Sequence, residues 1–201
     1  MDMKKKILIG TAAILLLSVL YFAGIYNSMV SKYQGVETSW SQVENTYQRR
    51  ADLIPNLVKT VKAYSVHERE TLIQVVKARS AAVNSQQTIP ANTLPNPEQL
   101  QQIEAAQQSL SASLGRLLVV VEKYPDLKAS QNFLALQAEL AGTENRIAVE
   151  RRRFNLAAQV YNTYILQFPH NLMARHFDFK PAAYFSAKPG AEKVPEVDFG
   201  L

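Results

Sequence analysis

Apolar residues recur along most of the chain in alternating steps of three and four residues, the spacing of one face of an α-helix. The clearest row consists of Leu100, Ile103, Gln107, Leu110, Leu114, Leu117, Val121 and Tyr124. No stretch sustains the period of two that is typical of a strand, so we predict no sheet. The pattern predicts an all-α protein with four helices, at about 27–50, 53–87, 97–122 and 130–168. Short connections favour an up-down four-helix bundle.

Proline-rich stretches mark the breaks between these helices. The segment "TIPANTLPNPEQ" (88–99) reads as a loop, and its Asn96-Pro97-Glu98 places a cap, a first-turn proline and an acid at a helix start. The segment "KYPDLKASQ" (123–131) predicts a second loop, with Ser130 as the cap of the last helix. That helix should end at Phe168, since a residue before proline avoids helical geometry.

Pro55 lies inside an otherwise helical pattern, "RRADLIPNLVKTVKAY" (49–64). Proline in a helix interior costs about 3 kcal/mol, but in the first turn its missing N–H is harmless. Asp52 is a suitable N-cap, so we interpret Arg50 to Asp52 as a tight turn between two helices. The alternative is one long helix kinked at Pro55.

The last residues, 169–201, differ from the rest. Four prolines exclude a long helix there, while five aromatic and two valine side chains make the segment too hydrophobic for a solvated linker. We expect an extended strap that lies on the bundle surface or on another subunit.

Residues 7–26, "ILIGTAAILLLSVLYFAGIY", carry no charge and would span about 30 Å as a helix, the thickness of a bilayer core. A cleaved signal peptide is the competing interpretation. The apolar run is long for a signal peptide and lacks a convincing cleavage site, which favours a retained transmembrane helix after a short basic segment, 1–6. Lys4 to Lys6 precede it, so we predict a cytoplasmic N-terminus and an extracytoplasmic bundle.

Composition narrows the possible chemistry. The chain has no cysteine, which excludes disulfides, thiolate nucleophiles and cysteine-bound metal. The chain has a net charge of +5. Residues 1–6 contribute +2 of this, from three lysines and Asp2, so the rest of the chain carries only +3. No basic stripe with interleaved aromatics is present, and we predict no nucleic-acid partner.

Several long segments resemble the LemA family of bacterial membrane-anchored helical proteins. They are "WSQVENTYQRRADLIPNLVKTVKAYSVHE", "VVKAR", "GRLLVVVEKYPDLKAS", "FLALQAELAGTENRIAVERRRFN", "YNTYILQFP" and "VPEVDF". One departure is Asp178, where the family usually has glycine. The resemblance implies one transmembrane helix followed by a four-helix bundle in the bacterial inner membrane, without an established enzymatic activity.

Few residues suggest catalysis. His67-Glu68 begins a zinc-protease motif, but the second histidine would have to stand at position 71, which is Thr71. A three-histidine site would need the tail to bring His170 and His176 onto the second helix. Other charged residues near the predicted seams are Glu68, Arg79, Glu139, Glu144 and Arg151. Glu–Arg pairs in bundles usually set helix register, and Arg151 to Arg153 fit a solvated face better than a phosphate site.

We therefore expect no catalytic, cofactor or metal site. The preferred hypothesis is a membrane-anchored, non-enzymatic scaffold that contacts the bilayer through 7–26 and binds other membrane proteins or copies of itself. One alternative is an accessory or regulator of a membrane protease. A less favoured one is a metal-dependent hydrolase that uses His67, Glu68 and Glu144.

Overall fold

The computed structural model describes residues 3–64, 68–90 and 93–186. It contains six helices: α1 (Met3–Tyr64), α2 (Arg69–Gln87), α3 (Pro97–Val121), α4 (Pro125–Lys128), α5 (Gln131–Leu166) and α6 (His170–His176). No strand occurs in these residues, which confirms the all-α class. The up-down four-helix arrangement and the division of the chain into segments remain predictions.

The predicted turn at Arg50 to Asp52 is wrong, because α1 continues through Pro55 to Tyr64 and the next helix starts at Arg69. Proline cannot donate to the carbonyl four residues earlier, which is that of Ala51. Arg79 of α2 supplies the missing donor, with its Nε 2.7 Å from the Ala51 oxygen. A contact between helices therefore offsets part of the cost that local sequence rules assign to this proline.

The caps and ends of the later helices follow the sequence more closely. Asn96 caps α3 through a reciprocal pair with Gln99: its side chain accepts from the Gln99 N–H at 2.8 Å, and Gln99 accepts from the Asn96 N–H at 3.0 Å. Helix α5 begins after Ser130, although that side chain makes no capping hydrogen bond. It ends at Leu166, two residues before the predicted Phe168. The loop predicted at 123–131 contains the short helix α4.

Helix α5 packs antiparallel against α1. Trp40 meets Phe154 with ring centroids 5.6 Å apart, Tyr33 meets Tyr161 at 5.7 Å, and Arg50 pairs with Glu144, so numbers rise along one helix as they fall along the other. Helix α2 packs against α3 and against the later part of α1.

The core consists of two hydrophobic clusters. The first joins α1 between Ile25 and Tyr47 to the start of α3, to α5 from Ile147 onward, to α6 and to the tail at Ala182 and Phe185. The second joins α1 between Ile54 and Val61 to α2, the later part of α3, α4 and the start of α5.

The tail is only partly the extended strap expected from its prolines, because residues 170–176 form α6. Residues 177–186 do lie on α5. The Asn162 side chain donates to the Ala182 carbonyl at 2.9 Å and accepts from its N–H at 2.8 Å, and Asn155 holds Phe185 in the same way at 3.0 and 2.9 Å. Asp178, two residues after the end of α6, has a φ of 56°, a left-handed conformation that favours glycine. The rest of the predicted strap, 187–201, lies outside the described residues.

Candidate functional site

An apolar groove lies between the end of α1 and the start of α2. We call it the distal groove. Its volume is about 490 Å³, and its lining residues are Val58, Lys62, Arg69, Leu72, Ile73, Val76 and Lys77. Ile73 and Val76 are 42% and 45% exposed, which leaves a contiguous apolar floor open to solvent.

The helical repeat of α2 explains why this floor is exposed. The buried row of the helix is Leu72, Val75, Ala78 and Ala82. Ile73 and Val76 each follow one position after a member of that row, which rotates them out of the seam by about 100°. The helix is therefore apolar over a wider arc than its packing against α1 and α3 uses.

The charges around the distal groove have one sign. Lys62, Arg69 and Lys77 contribute to its lining, and none of the lining residues is acidic. Long basic side chains can extend their apolar stems over a hydrophobic floor and keep their charges at its edge. An amphipathic helix with an apolar face and acidic borders would match both the floor and the rim.

A cluster of polar groups, which we call the polar layer, lies at the level of Arg50 in the last third of α1, between the two hydrophobic clusters. Arg50 is only 2% exposed and donates to Glu144 of α5 and to Gln107 and Ser111 of α3, the last at 3.2 Å. Burial lowers the pKa of Arg50, while Glu144 opposes that shift. These bonds join α1 to α3 and α5, and removing one partner would leave the buried charge less well paired.

A second ion pair continues the polar layer toward the strap. Arg151 of α5 donates to Glu104 of α3 and also lies over the Phe185 ring, 4.3 Å from its centroid. Burial raises the pKa of Glu104, and Arg151 lowers it in part. Burial also raises the pKa of Tyr47 to about 12, so this phenol keeps its proton near neutral pH. The charged side chains of the layer pair with one another, which is typical of a structural network, although the buried Arg50 Nε has no hydrogen-bond partner among the described residues.

Comparison with known proteins places this architecture in a family. The LemA family matches residues 39–199, which is most of the chain. The protein belongs to the LemA family. It is 28% identical over 183 residues to magnetosome protein MamQ of Magnetospirillum gryphiswaldense and 29% identical to magnetosome protein MamQ 2 of Paramagnetospirillum magneticum. Each match covers 83% of this chain and 66% of the relative, so the chain spans just under two thirds of their length.

A third relative carries the family name itself. Protein LemA of Metamycoplasma hominis is 26% identical over 176 residues, which cover 87% of this chain and 75% of the relative. Neither the family name nor the names of these relatives denotes an enzyme.

The residues suggested for a hydrolase do not converge. Glu68 accepts a hydrogen bond from the Tyr124 hydroxyl at 3.2 Å, beyond the end of α3, whereas Glu144 belongs to the polar layer beside Ser111. Along the axis of α3, Ser111 lies about 15 Å from the end of the helix. Glu144, beside Ser111, is therefore separated by at least about that distance along the axis from Glu68, which lies beyond the end of α3. His67 lies outside the described residues.

Most of the remaining candidates have structural partners. His170 stacks on Tyr164 at 4.1 Å, and His176 meets the Phe177 ring at 4.8 Å. Arg79 binds the Ala51 carbonyl, as described above. Glu139 and Arg152 are exposed, and Arg153 pairs with Glu150 at 2.8 Å. Within 3–64, 68–90 and 93–186, no group of three acidic or histidine side chains could hold a metal ion.

Sequence reasoning missed Arg50 as a buried residue, although its position carried a signal. Arg50 follows Val43 and Tyr47 at helical spacing and so continues the buried row of α1. Gln107 is likewise a polar member of the apolar row of α3. A charged residue and an amide on two such rows could have been paired from sequence. The interpretation of Arg50 as part of a turn concealed that pairing.

Proposed function

We propose that this LemA-family protein is a membrane-anchored, non-enzymatic adaptor whose distal groove binds an acidic amphipathic helix of another protein. The observation that carries the proposal is the exposed apolar floor with a rim of one charge sign. The polar layer supports the non-enzymatic part, because its ionised groups pair with one another.

The size of the floor fits a reversible contact. Fully burying an Ile or Val side chain contributes about 1.5–3 kcal/mol. Association costs about 4–15 kcal/mol in lost translational and rotational freedom. The half-exposed Ile73 and Val76 therefore need further contacts, which the basic rim can supply to an acidic helix. Such an interface should weaken at high salt, because its charges remain near solvent.

The membrane anchor has its own support. Helix α1 is long and apolar enough at its start to cross a membrane, by length and composition. The same helix continues without interruption into the core, where Ile25 and Met29 are buried. This continuity supports residues 7–26 as a retained span, and the basic residues Lys4 to Lys6 favour a cytoplasmic N-terminus in the bacterial inner membrane.

A photocrosslinking amino acid at Ile73, in the full chain in intact membranes, tests the groove. The matched control carries the same group at Gln74, the neighbouring exposed residue that does not line the groove. Support would be crosslinks from Ile73 to a segment that mass spectrometry maps to an acidic amphipathic helix. These crosslinks should be lost with the double variant Lys62→Glu, Lys77→Glu and reduced at high salt. The proposed occupant would be refuted by equal crosslinking from Ile73 and Gln74, or by the absence of crosslinks from Ile73. Crosslinks only to a second copy of this chain would also refute it.

Two further measurements test the anchor and its orientation. The full-length chain should remain in the membrane pellet after alkaline extraction with its N-terminal peptide intact, whereas a mature chain beginning after residue 26 would establish a signal peptide. A reporter enzyme that is active only outside the cytoplasm, fused after Leu201, should be active. An inactive fusion would contradict the proposed orientation.

A further inference from the structure

The antiparallel register of α1 and α5 fixes which residues lie where the apolar span ends. The ring pairs Trp40–Phe154 and Tyr33–Tyr161 are separated by the same number of residues on both helices. One more step of that length leads to Tyr26 and Phe168. The end of α5, and α6 after it, therefore lie beside the last residue of the proposed span.

Direct contacts confirm this placement. The Tyr26 ring meets those of Phe177 and Phe179 at centroid distances of 4.9 and 5.9 Å. On the inner side of α6, Ala174 is buried in the same cluster as Ile25 of α1. Helix α6 is thus held against α1 at the level where the chain would leave the bilayer.

The outer side of this region exposes large apolar side chains. We call Leu166, Phe168, Leu172 and Phe177 the foot; their exposed fractions are 64%, 79%, 57% and 47%. Phe168 is the most exposed large apolar residue in the described part of the chain. An aqueous surface disfavours such a group, and nothing else described covers it.

Charged residues near the foot suit a lipid surface. Arg175 and Lys180 are exposed, and Lys180 pairs at 3.1 Å with Asp178, which is also exposed. Leucine and phenylalanine beside arginine and lysine are typical of segments that lie at the boundary of headgroups and acyl chains, especially of anionic lipids.

We propose that the foot inserts into the headgroup region of the bilayer and forms a second membrane contact beside the transmembrane helix. This inference rests on the anchor in the proposed function and is independent of the distal groove. Anionic phospholipid is the preferred surface, because Arg175 and Lys180 would attract its headgroups. A bundle held at two points cannot rotate freely about the axis of its own anchor.

The absence of cysteine in the sequence allows single labels to be placed without other changes. Spin labels on Phe168→Cys or Leu172→Cys, in the full chain in liposomes, are compared for accessibility to oxygen and to a water-soluble nickel complex. Leu16→Cys, 61% exposed within the span, serves as the lipid reference. Val119→Cys, 68% exposed near the far end of α3, serves as the aqueous reference.

At both foot positions, the ratio of oxygen accessibility to nickel accessibility should be closer to the ratio at Leu16→Cys than to the ratio at Val119→Cys. Foot labels that match the aqueous reference, while Leu16→Cys reports lipid, would overturn the foot and leave the anchor intact. An aqueous result for Leu16→Cys as well would overturn both. Strong spin–spin broadening at Phe168→Cys would indicate that a second copy covers the foot and would also overturn the proposal.

Lipid charge supplies an independent comparison. The Leu172→Cys label should lie deeper in phosphatidylglycerol vesicles than in phosphatidylcholine vesicles. The variant Arg175→Gln, Lys180→Gln should abolish that difference, whereas Lys59→Gln, Lys123→Gln, which removes two exposed charges elsewhere, should preserve it. An equal depth in both lipids before any substitution would contradict the charge preference.

Discussion

Replacing Arg79 should destabilise the protein because Pro55 leaves a backbone carbonyl without its helical donor. Arg79→Met keeps an apolar stem for packing and removes the Nε–H that binds the Ala51 oxygen at 2.7 Å. Hydrogen bonds from charged donors contribute about 1.5–3 kcal/mol, and this bond is only partly buried. We therefore expect a loss of about 1–2 kcal/mol in the free energy of unfolding.

The second half of the experiment removes the proline. In Pro55→Ala the new N–H can bind the Ala51 carbonyl within α1, so Arg79 is no longer required there. Arg79→Met in that background should cost less than about 0.5 kcal/mol, the range of ordinary surface substitutions. The two changes should therefore couple by about 1 kcal/mol in a double-mutant cycle.

Chemical unfolding of the full chain in detergent micelles, followed by far-ultraviolet circular dichroism, measures the unchanged chain, the two single variants and the double variant. Arg116→Met, at an exposed arginine of α3, is the control and should change the free energy of unfolding by less than about 0.5 kcal/mol. If Arg79→Met costs the same with and without Pro55, then Arg79 does not compensate for the proline and our account of α1 is wrong.

Three further substitutions test other parts of the structure by the same unfolding measurement. Asp178→Gly should stabilise by about 0.5–1 kcal/mol, because it relieves a left-handed conformation and loses only an exposed ion pair; a loss would contradict this. Tyr47→Phe should be neutral or stabilising, since the buried hydroxyl has no hydrogen-bond partner among the described residues. A marked loss of stability would show that the hydroxyl does have a partner. Burial raises the pKa of Glu44, so its ionised form disfavours folding. Glu44→Gln should therefore stabilise at neutral pH, with a gain that disappears as the pH falls below about 4.3; a gain independent of pH would exclude this cause.

Local patterns were sufficient to predict α3 and α5, two of the six helices in the described residues. The cap at Asn96 and the proline after it determine the start of α3 through neighbouring residues alone, and the structure shows that start at Pro97. The apolar spacing of α5 reflects one continuous buried face, so both of its ends were predicted within two residues.

The same reasoning failed where a distant residue decides the outcome. Asp52 and Pro55 have the local chemistry of a helix start, but Arg79 lies far along the chain and its approach to Ala51 depends on how α2 packs. The distal groove could not be predicted either. It requires knowing which apolar residues of α2 remain uncovered after α1 and α3 are in place.

The uninterrupted length of α1 also has a consequence for which partners can be reached. From Tyr26 to Val58 the helix rises about 50 Å, so an anchored chain holds its distal groove at about that distance along α1 from the lipid. A membrane protein that ends near the headgroups could not touch it. Only a membrane partner that projects by a similar distance from the lipid could place a helix in the groove.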